Sequence, residues 1–132
     1  MIVPMKHIDI CAMQSDRDEL LRSLQRASVM MIVSENKGGA ISTIVPMVSH
    51  QDISEHDIDV VVTEHGVADL RGLDDVERAE VIIENCTGLY KDQLRDYLTR
   101  AKEKTGGHHP ILLDEALSWH IALKEQGTMR KE

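Results

Sequence analysis

Three short apolar runs, separated by polar turns, occupy the first half of the chain. The runs at 29–33, 40–48 and 60–63 are rich in β-branched and other apolar residues and predict three strands. Because Pro46 cannot donate to a sheet, the second strand is expected to have an edge, a bulge or its end there. The third run stops at the polar turn 63–66, where ligands are expected if it is the mouth of an α/β sheet.

Apolar residues recur at helical spacing in four other segments, 15–27, 74–86, 94–101 and 113–123. Ser15 opens the first of these, and Asp74 and Glu77 form a capping-box pair at the second. Gly127 is expected to stop the last helix. The order predicts an α/β fold with a short sheet of about three strands and flanking helices. Three strands are few for such a domain, so part of it is expected to be missing.

Length and composition restrict the classes of protein that are possible. A chain of 132 residues is enough for one domain, and with 2% aromatic residues its core must come mainly from Leu, Ile, Val, Met and Ala. The formal net charge of −8 argues against a nucleic-acid partner, since binding to phosphates of a nucleic acid requires clustered Lys and Arg. An anionic small ligand is still possible, because it needs only one or two well-placed cations.

Targeting features and cysteine content predict a cytoplasmic protein. Cys11 and Cys86 are far apart in sequence, and without a secretory pattern they are expected to be free thiols in a reducing compartment. No apolar run approaches the roughly 20 residues of a membrane span, so no membrane partner is expected.

Two turns carry candidate ligand-binding residues. Glu64 could line a pocket as a base, an orienting group or a hydrogen-bond acceptor, or it could face solvent or cap a turn at 67–70. His65 is interpreted as a neighbour without a role. In the sequence Lys37-Gly38-Gly39, glycines would let the backbone approach a phosphate and Lys37 would supply charge. The spacing fits neither a P-loop nor a dinucleotide fingerprint, so the motif alone favours a solvated connection.

Histidines and carboxylates cluster in two loops, but their spacing fits no standard zinc signature and includes no cysteine. We therefore predict no metal site; the loops hold His50, Asp52, Glu55, His56 and Asp57, and then His108 and His109. His120 is expected to be a half-buried packing residue beside Trp119. Cys86 is expected on the inner face of a helix, where a free thiol is inert.

Several strings together resemble the C-terminal part of the acetyl-CoA hydrolase/transferase family, in the branch of succinyl-CoA:acetate CoA-transferases and acetyl-CoA hydrolases. They are ISTIVPMV at 41–48, EHD at 55–57, VTEHGVADLRG at 62–72, RA at 78–79, IIENC at 82–86, EALSWH at 115–120 and GTM at 127–129. The resemblance divides the chain into 1–28, a segment unlike the family, and 29–132, the C-terminal part of such a domain. The fold that it implies is a partial CoA-transferase-like domain.

The resemblance implies a two-domain α/β enzyme that acts on acyl-CoA. A glutamate of the second domain would attack the acyl thioester to give an acyl-glutamyl anhydride, and CoA would return to form a glutamyl-CoA thioester. Transfer to a small carboxylate completes a transferase cycle, whereas water makes the enzyme a hydrolase. Glycine backbone amides would stabilise the oxyanion.

The resemblance also assigns individual residues. Lys37, with Gly38 and Gly39, matches a Lys-Gly-Gly turn whose lysine contacts CoA. Glu64 matches the glutamate of a Val-Thr-Glu motif that lies near the active site and is not the nucleophile. The nucleophile and the oxyanion glycines precede that turn in the family, but 1–28 is too short for both and contains no glycine.

We therefore expect a C-terminal fragment of an acyl-CoA:carboxylate CoA-transferase or acetyl-CoA hydrolase. It would contribute to CoA binding and to the active-site wall and be inactive alone, with a second copy or the remainder of the enzyme as its protein partner. The alternative is a non-catalytic interaction or oligomerisation module, because a sheet cut from a larger one exposes edges that pair readily.

Overall fold

The computed structural model describes residues 29–32 and 37–131, and for 29–32 and Lys37 it describes the backbone alone. The predicted helix at 15–27 and Cys11 lie outside the described residues.

Three strands form one small sheet: β1 (Val29–Ile32), β2 (Ile58–Val62) and β3 (Val67–Asp69). β2 is central, with β1 parallel to it on one side and β3 antiparallel on the other. The α/β class and the short sheet of three strands with flanking helices are confirmed.

One of the three strands is not where the sequence placed it. The predicted strand at 40–48 is wrong, because this segment forms successive bends with a single isolated bridge at Ile41. Its Ser42 hydroxyl donates to the Ile44 carbonyl over 2.6 Å, which favours a local turn over a ladder. Pro46 has no N–H for a neighbouring strand. Ile41 and Ile44 still pack against the core from this irregular segment.

The third strand is β3, in a segment for which the sequence suggested a turn. Antiparallel pairing joins Val62 to Val67, so residues 63–66 are the turn of a β-hairpin. Side chains alternate along β3, with Ala68 buried and its two neighbours exposed. The Leu70 N–H then donates to the Asp59 carbonyl over 2.7 Å, which prolongs the pairing beyond β3.

Three α-helices follow, α1 (Asp75–Cys86), α2 (Lys91–Thr105) and α3 (Ser118–Gln126). Short 3₁₀ turns occupy Lys37–Gly39, Glu55–Asp57 and Gly88–Tyr90. The predicted capping box is confirmed, since the Asp74 side chain accepts from the Glu77 N–H and the Glu77 side chain accepts from the Asp74 N–H. Gly127 stops α3 in a left-handed conformation, as predicted.

The predicted apolar stripe at 113–123 is wrong in its first half. Leu113 and Leu117 are 84% and 41% exposed, and the chain makes turns there until α3 begins at Ser118. Ala116, a member of the predicted stripe, is buried as expected, and Leu112 and Trp119 are buried in place of Leu113 and Leu117. Leu112, Ala116 and Trp119 also have helical spacing. Burial of the large Trp119 ring removes more apolar surface from water than burial of a leucine side chain would.

The core runs from the sheet to α1, then to α2, α3 and the chain segment after it. Ile58, Val61, Ala68 and Leu70 of the hairpin pack against Cys86 of α1. The other face of α1 meets a second cluster that joins all three helices, formed by Ile83, Tyr90, Leu94, Trp119 and Met129.

The Arg78 side chain ties the hairpin to α1. Its guanidinium donates to the carbonyls of Leu70 at 3.2 Å and Ile58 at 2.6 Å, and also to that of Glu55. One cation therefore satisfies backbone acceptors from both strands of the hairpin and from the preceding turn, which fixes the hairpin against the helix.

Candidate functional site

The turn Lys37–Gly39 has a backbone shape that depends on glycine. Gly38 and Gly39 have φ of 63° and 81°, in the left-handed region that residues with a Cβ rarely adopt. Gly38 is exposed, and a Cβ atom added to it would meet no atom of the described residues within 4 Å. The outer side of this turn is therefore open to a ligand.

Two side chains hold the inner side of the turn through the Gly39 carbonyl. The Tyr90 hydroxyl donates to it over 2.8 Å, and Arg130 Nε donates to it over 3.0 Å. Tyr90 is fully buried, and its ring lies 5.5 Å from that of Trp119. The turn is thus anchored to the core by a buried hydrogen bond.

The segment 128–131, which we call the C-terminal segment, holds the residue after the turn. The Met129 N–H donates to the Ala40 carbonyl over 2.9 Å, and the Thr128 hydroxyl donates to the same carbonyl over 3.4 Å. Gln93 of α2 binds this segment in turn, since its Nε2 donates to the Met129 carbonyl over 3.0 Å. The turn at Gly39 and Ala40 therefore has support from both α2 and the end of the chain.

The second candidate turn, 63–66, is the tip of the hairpin. The Thr63 N–H donates to the Gly66 carbonyl over 2.9 Å, and the Thr63 hydroxyl accepts from the His65 N–H over 3.2 Å. A Cβ atom on Gly66 would lie 2.6 Å from the Asn85 carbonyl oxygen of α1. Glycine is therefore required because the turn lies directly on the last residues of α1.

The imidazole of His65 lies against the next segment along the chain. A Cβ atom on Gly88 would be 2.2 Å from His65 Nε2, so only glycine leaves room for the ring at that position. Glu64, the predicted pocket residue, lies beside His65 at the exposed tip of the hairpin.

Both turns therefore meet the same short 3₁₀ segment, Gly88–Tyr90. Its first residue contacts the His65 ring, and its last residue bonds to Gly39. Leu89, between them, is exposed. Since this segment connects α1 directly to α2, it sets the spacing of the Lys37–Gly39 turn and the Glu64 turn.

The rest of the VTEHGVADLRG string has a structural use. Asp69 accepts from Arg71 Nε at 2.9 Å and from its NH2 at 2.6 Å, and these bonds lower the pKa of Asp69 to about 2. The carboxyl group is thus ionised and paired at neutral pH, which does not suit a proton donor. Leu70 is buried in the core.

Cys86 lies on the inner face of α1, as predicted. Its Sγ lies 3.7 Å from each of the carbonyl oxygens of Val61 and Gly66, so its single S–H donates to one of them at a time, and burial raises the pKa of this thiol. A buried neutral thiol is a poor nucleophile. In this position it supports both ends of the hairpin turn.

A family model described as "Acetyl-CoA hydrolase/transferase C-terminal domain" matches residues 18–98. The chain belongs to this family. The C-terminal part of the family is the part that it matches, as its sequence strings indicated. Residues 18–28 of the match lie outside the part that the structure describes.

Named relatives of the family include both transferases and hydrolases. The chain is 54% identical to the succinyl-CoA:acetate CoA-transferase of Clostridium kluyveri over 95 residues, which are 71% of this chain and 18% of that protein. It is 50% identical to the acetyl-CoA hydrolase of Saccharomyces cerevisiae over 95 residues, 68% of this chain and 18% of the relative. It is 46% identical to the propanoyl-CoA:succinate CoA transferase of Escherichia coli over 103 residues, 77% and 20% respectively. The chain thus spans about a fifth of the length of these curated relatives.

Among the family strings, those far from the two turns in sequence still contact them. IIENC at 82–86 supplies Asn85 and Cys86 beneath Gly66, and GTM at 127–129 supplies Met129 beneath Ala40. Tyr90 and Arg130, the two donors to Gly39, are not among the candidate residues predicted from the sequence. The scarcity of aromatic residues was a usable signal for Tyr90, because the two tyrosines and one tryptophan of the sequence are expected in the core, where a tyrosine hydroxyl needs a partner.

The loop histidines do not gather into a metal site within residues 37–131. No group of three His, Cys, Asp or Glu side chains there could hold an ion. His50 bonds to Asp52 at 2.8 Å and His109 lies 3.3 Å from Asp75, both as exposed pairs. His120 is half-buried beside Trp119, as predicted. In the same described part of the chain, none of the helices is long and apolar enough to cross a membrane.

Proposed function

We propose that this chain forms the CoA-binding wall of an acyl-CoA pocket in an acyl-CoA:carboxylate CoA-transferase or acetyl-CoA hydrolase. Its ligands are then acyl-CoA and a small carboxylate, and its protein partner is the remainder of the enzyme or a second copy. The chain alone is proposed not to turn over acyl-CoA.

One observation carries the proposal: the Lys37–Gly39 turn is open outside and rigidly held inside. Gly38 is exposed and no described atom lies within 4 Å of a Cβ built on it, which leaves room for a ligand to approach, whereas Gly39 is buried. Tyr90, which is buried, and Arg130, which is exposed, fix the turn through Gly39. A preorganised glycine turn beside a lysine suits the binding of a phosphate-containing ligand.

Glu64 is proposed as a pocket residue that positions the reacting groups, and not as the nucleophile. The turn that holds Glu64 and the Lys37–Gly39 turn both contact the Gly88–Tyr90 segment. This shared contact supports a single ligand that touches both turns. The nucleophilic glutamate and the oxyanion amides that the family resemblance implies would come from other parts of the enzyme.

Calorimetric titration of the chain with CoA and acetyl-CoA tests the proposal. Lys37→Ala and Gly38→Ala are expected to weaken binding. Gly72→Ala is the control for backbone strain, because Gly72 is exposed, has φ of 73° and has no described atom within 4 Å of an added Cβ, and it lies outside the turn. Lys124→Ala, on α3, controls for the loss of one positive charge.

Two results would contradict the proposal. Binding that is undetectable at millimolar CoA would remove the CoA-wall function. Turnover of acetyl-CoA by the chain alone at an ordinary enzymatic rate would show that it already contains the nucleophile.

A specific surface favours the second candidate, a non-catalytic interaction module. Leu113, Leu117 and Ile121 are spaced by four residues and are 84%, 41% and 53% exposed. A row of exposed aliphatic side chains is typical of a contact with another protein surface. A clean monomer in light scattering at high protein concentration would count against this function.

A further inference from the structure

A cleft with a volume of ≈ 690 Å³ opens between α3 and the C-terminal segment. It is lined by Gln93 of α2, by the segment 128–131, and by four residues of α3, namely Ser118, Trp119, Ala122 and Gln126. The volume is within the range of about 300–1,000 Å³ that is common for small-molecule sites. Neither candidate turn lines it.

The charged side chains of this cleft have one sign. Arg130 and Lys131 line it, whereas none of the described residues around it is Asp or Glu. This is unusual for a chain with a net charge of −8. Glu115 is close enough for Lys131 to act on its charge, but Glu115 is already bonded to Arg100 at 2.5 Å, and that bond is the main reason that its pKa is lowered.

The cationic wall has a fixed backbone. Gln93 holds it at two points, where Nε2 donates to the Met129 carbonyl over 3.0 Å and Oε1 accepts from the Lys131 N–H over 3.1 Å. Between these points, Arg130 Nε reaches back to Gly39 over 3.0 Å. The same arginine therefore contacts the cleft and the glycine turn, so the two features are continuous.

We propose that this cleft binds a phosphate group of CoA, as an extension of the Lys37–Gly39 turn. The inference rests on the proposed function. Two adjacent cations suit a phosphate, with Arg130 offering a planar donor set and Lys131 a point charge. The neutral polar side chains of Ser118 and Gln126 supply further hydrogen-bonding groups for the nucleotide end of the ligand.

Fragments of CoA separate this site from the glycine turn. The chain is titrated with CoA, with adenosine 3′,5′-bisphosphate, which carries phosphates without the thiol arm, and with pantetheine, which carries the thiol arm without phosphate. Lys131→Gln is the main variant, because the hydrogen bond from Lys131 to Gln93 in this wall uses the backbone N–H and survives the substitution. Lys124→Gln is the matched control on the adjacent helix, outside the cleft.

We expect Lys131→Gln to weaken CoA and the bisphosphate roughly fivefold, as for the loss of one exposed ion pair, and to leave pantetheine unchanged. The difference should shrink at high salt, because exposed charges are screened. Lys124→Gln should match the parent. An unchanged circular dichroism spectrum and unfolding midpoint of Lys131→Gln would show that the fold is intact.

The outcomes distinguish this inference from the proposed function. If CoA binds and Lys131→Gln binds it as tightly as the parent, the phosphate cleft is wrong and the CoA wall stands. If the bisphosphate binds in a Lys131-dependent manner while Lys37→Ala and Gly38→Ala leave CoA affinity unchanged, the cleft stands and the glycine-turn function is wrong. If no phosphate-bearing fragment binds at millimolar concentration, the cleft is overturned.

Discussion

Two buried tyrosine hydroxyls have opposite roles in their hydrogen bonds, and replacement of each by phenylalanine should show it. The Tyr90 hydroxyl donates to the Gly39 carbonyl over 2.8 Å, and the Tyr97 hydroxyl accepts from the Leu112 N–H over 3.0 Å. The two side chains are 0% and 6% exposed, so the substitutions remove the same atom from similar surroundings.

The expected costs differ because the partners are left in different states. After Tyr90→Phe, the Gly39 carbonyl keeps its bond from Arg130 Nε, so the free energy of unfolding should fall by only about 0.5–1.5 kcal/mol. After Tyr97→Phe, the buried Leu112 N–H loses its acceptor and bears its own desolvation penalty, so the loss should be about 1–3 kcal/mol.

Urea denaturation followed by far-ultraviolet circular dichroism measures both values, provided that the m-values of the variants agree. Fluorescence of Trp119, which lies against Tyr90, gives an independent transition. CoA affinity should show the reverse order, with Tyr90→Phe weakening binding and Tyr97→Phe leaving it unchanged. A larger stability loss for Tyr90→Phe than for Tyr97→Phe would refute this reasoning, in which the Gly39 carbonyl stays hydrogen-bonded and the Leu112 N–H does not.

Two further predictions concern the hairpin turn and the helix beneath it. Gly66→Ala should lower the free energy of unfolding by about 1–3 kcal/mol, because its Cβ would lie 2.6 Å from the Asn85 carbonyl oxygen; a cost below that of Gly72→Ala, where only φ is strained, would contradict this contact. Cys86, studied in a Cys11→Ser chain, should react with iodoacetamide far more slowly in the folded protein than in urea. Burial raises the pKa of its thiol, so its contribution to stability is fully present below the unfolded pKa of about 8.5 and is lost as pH rises through the folded value; fast alkylation of the native protein would be inconsistent with this.

Local signals in the sequence predicted the elements that depend on local interactions. The Asp74–Glu77 capping box and the Gly127 stop are short-range hydrogen-bond and backbone preferences, and both are confirmed. Prediction from the sequence was wrong for segments whose structure depends on a partner far away along the chain. β3 forms because β2 pairs with it, whereas 40–48 packs Ile41, Ile44 and Val45 on the helical cluster and pairs with no strand of the described residues.

The apolar stripe predicted at 113–123 is a second case in which long-range packing decided the outcome. The sets that begin at Leu112 and Leu113 both have helical spacing, so periodicity could not choose between them. The choice follows from Trp119, whose ring packs with Tyr90 of another element. Long-range packing therefore fixed both where α3 begins and which leucines are left exposed.

The candidate site was partly predictable for a related reason. Lys37, Gly38, Gly39 and Glu64 were selected because they belong to compact strings, and their roles in CoA binding stay predictions. Their relative placement could not be read from those strings, since it depends on the Gly88–Tyr90 segment that lies between two helices.

The position of that segment ties together two turns that are far apart in sequence, as the proposal of a single ligand for both requires. A displacement of Gly88 would move His65 and with it the Glu64 turn, whereas a displacement of Tyr90 would move Gly39. Because three residues cannot move independently at the junction of α1 and α2, the two turns are held at one spacing by the packing of these helices. Substitutions in the α1–α2 core should therefore alter CoA affinity in proportion to how far they shift this segment, even where they touch neither turn.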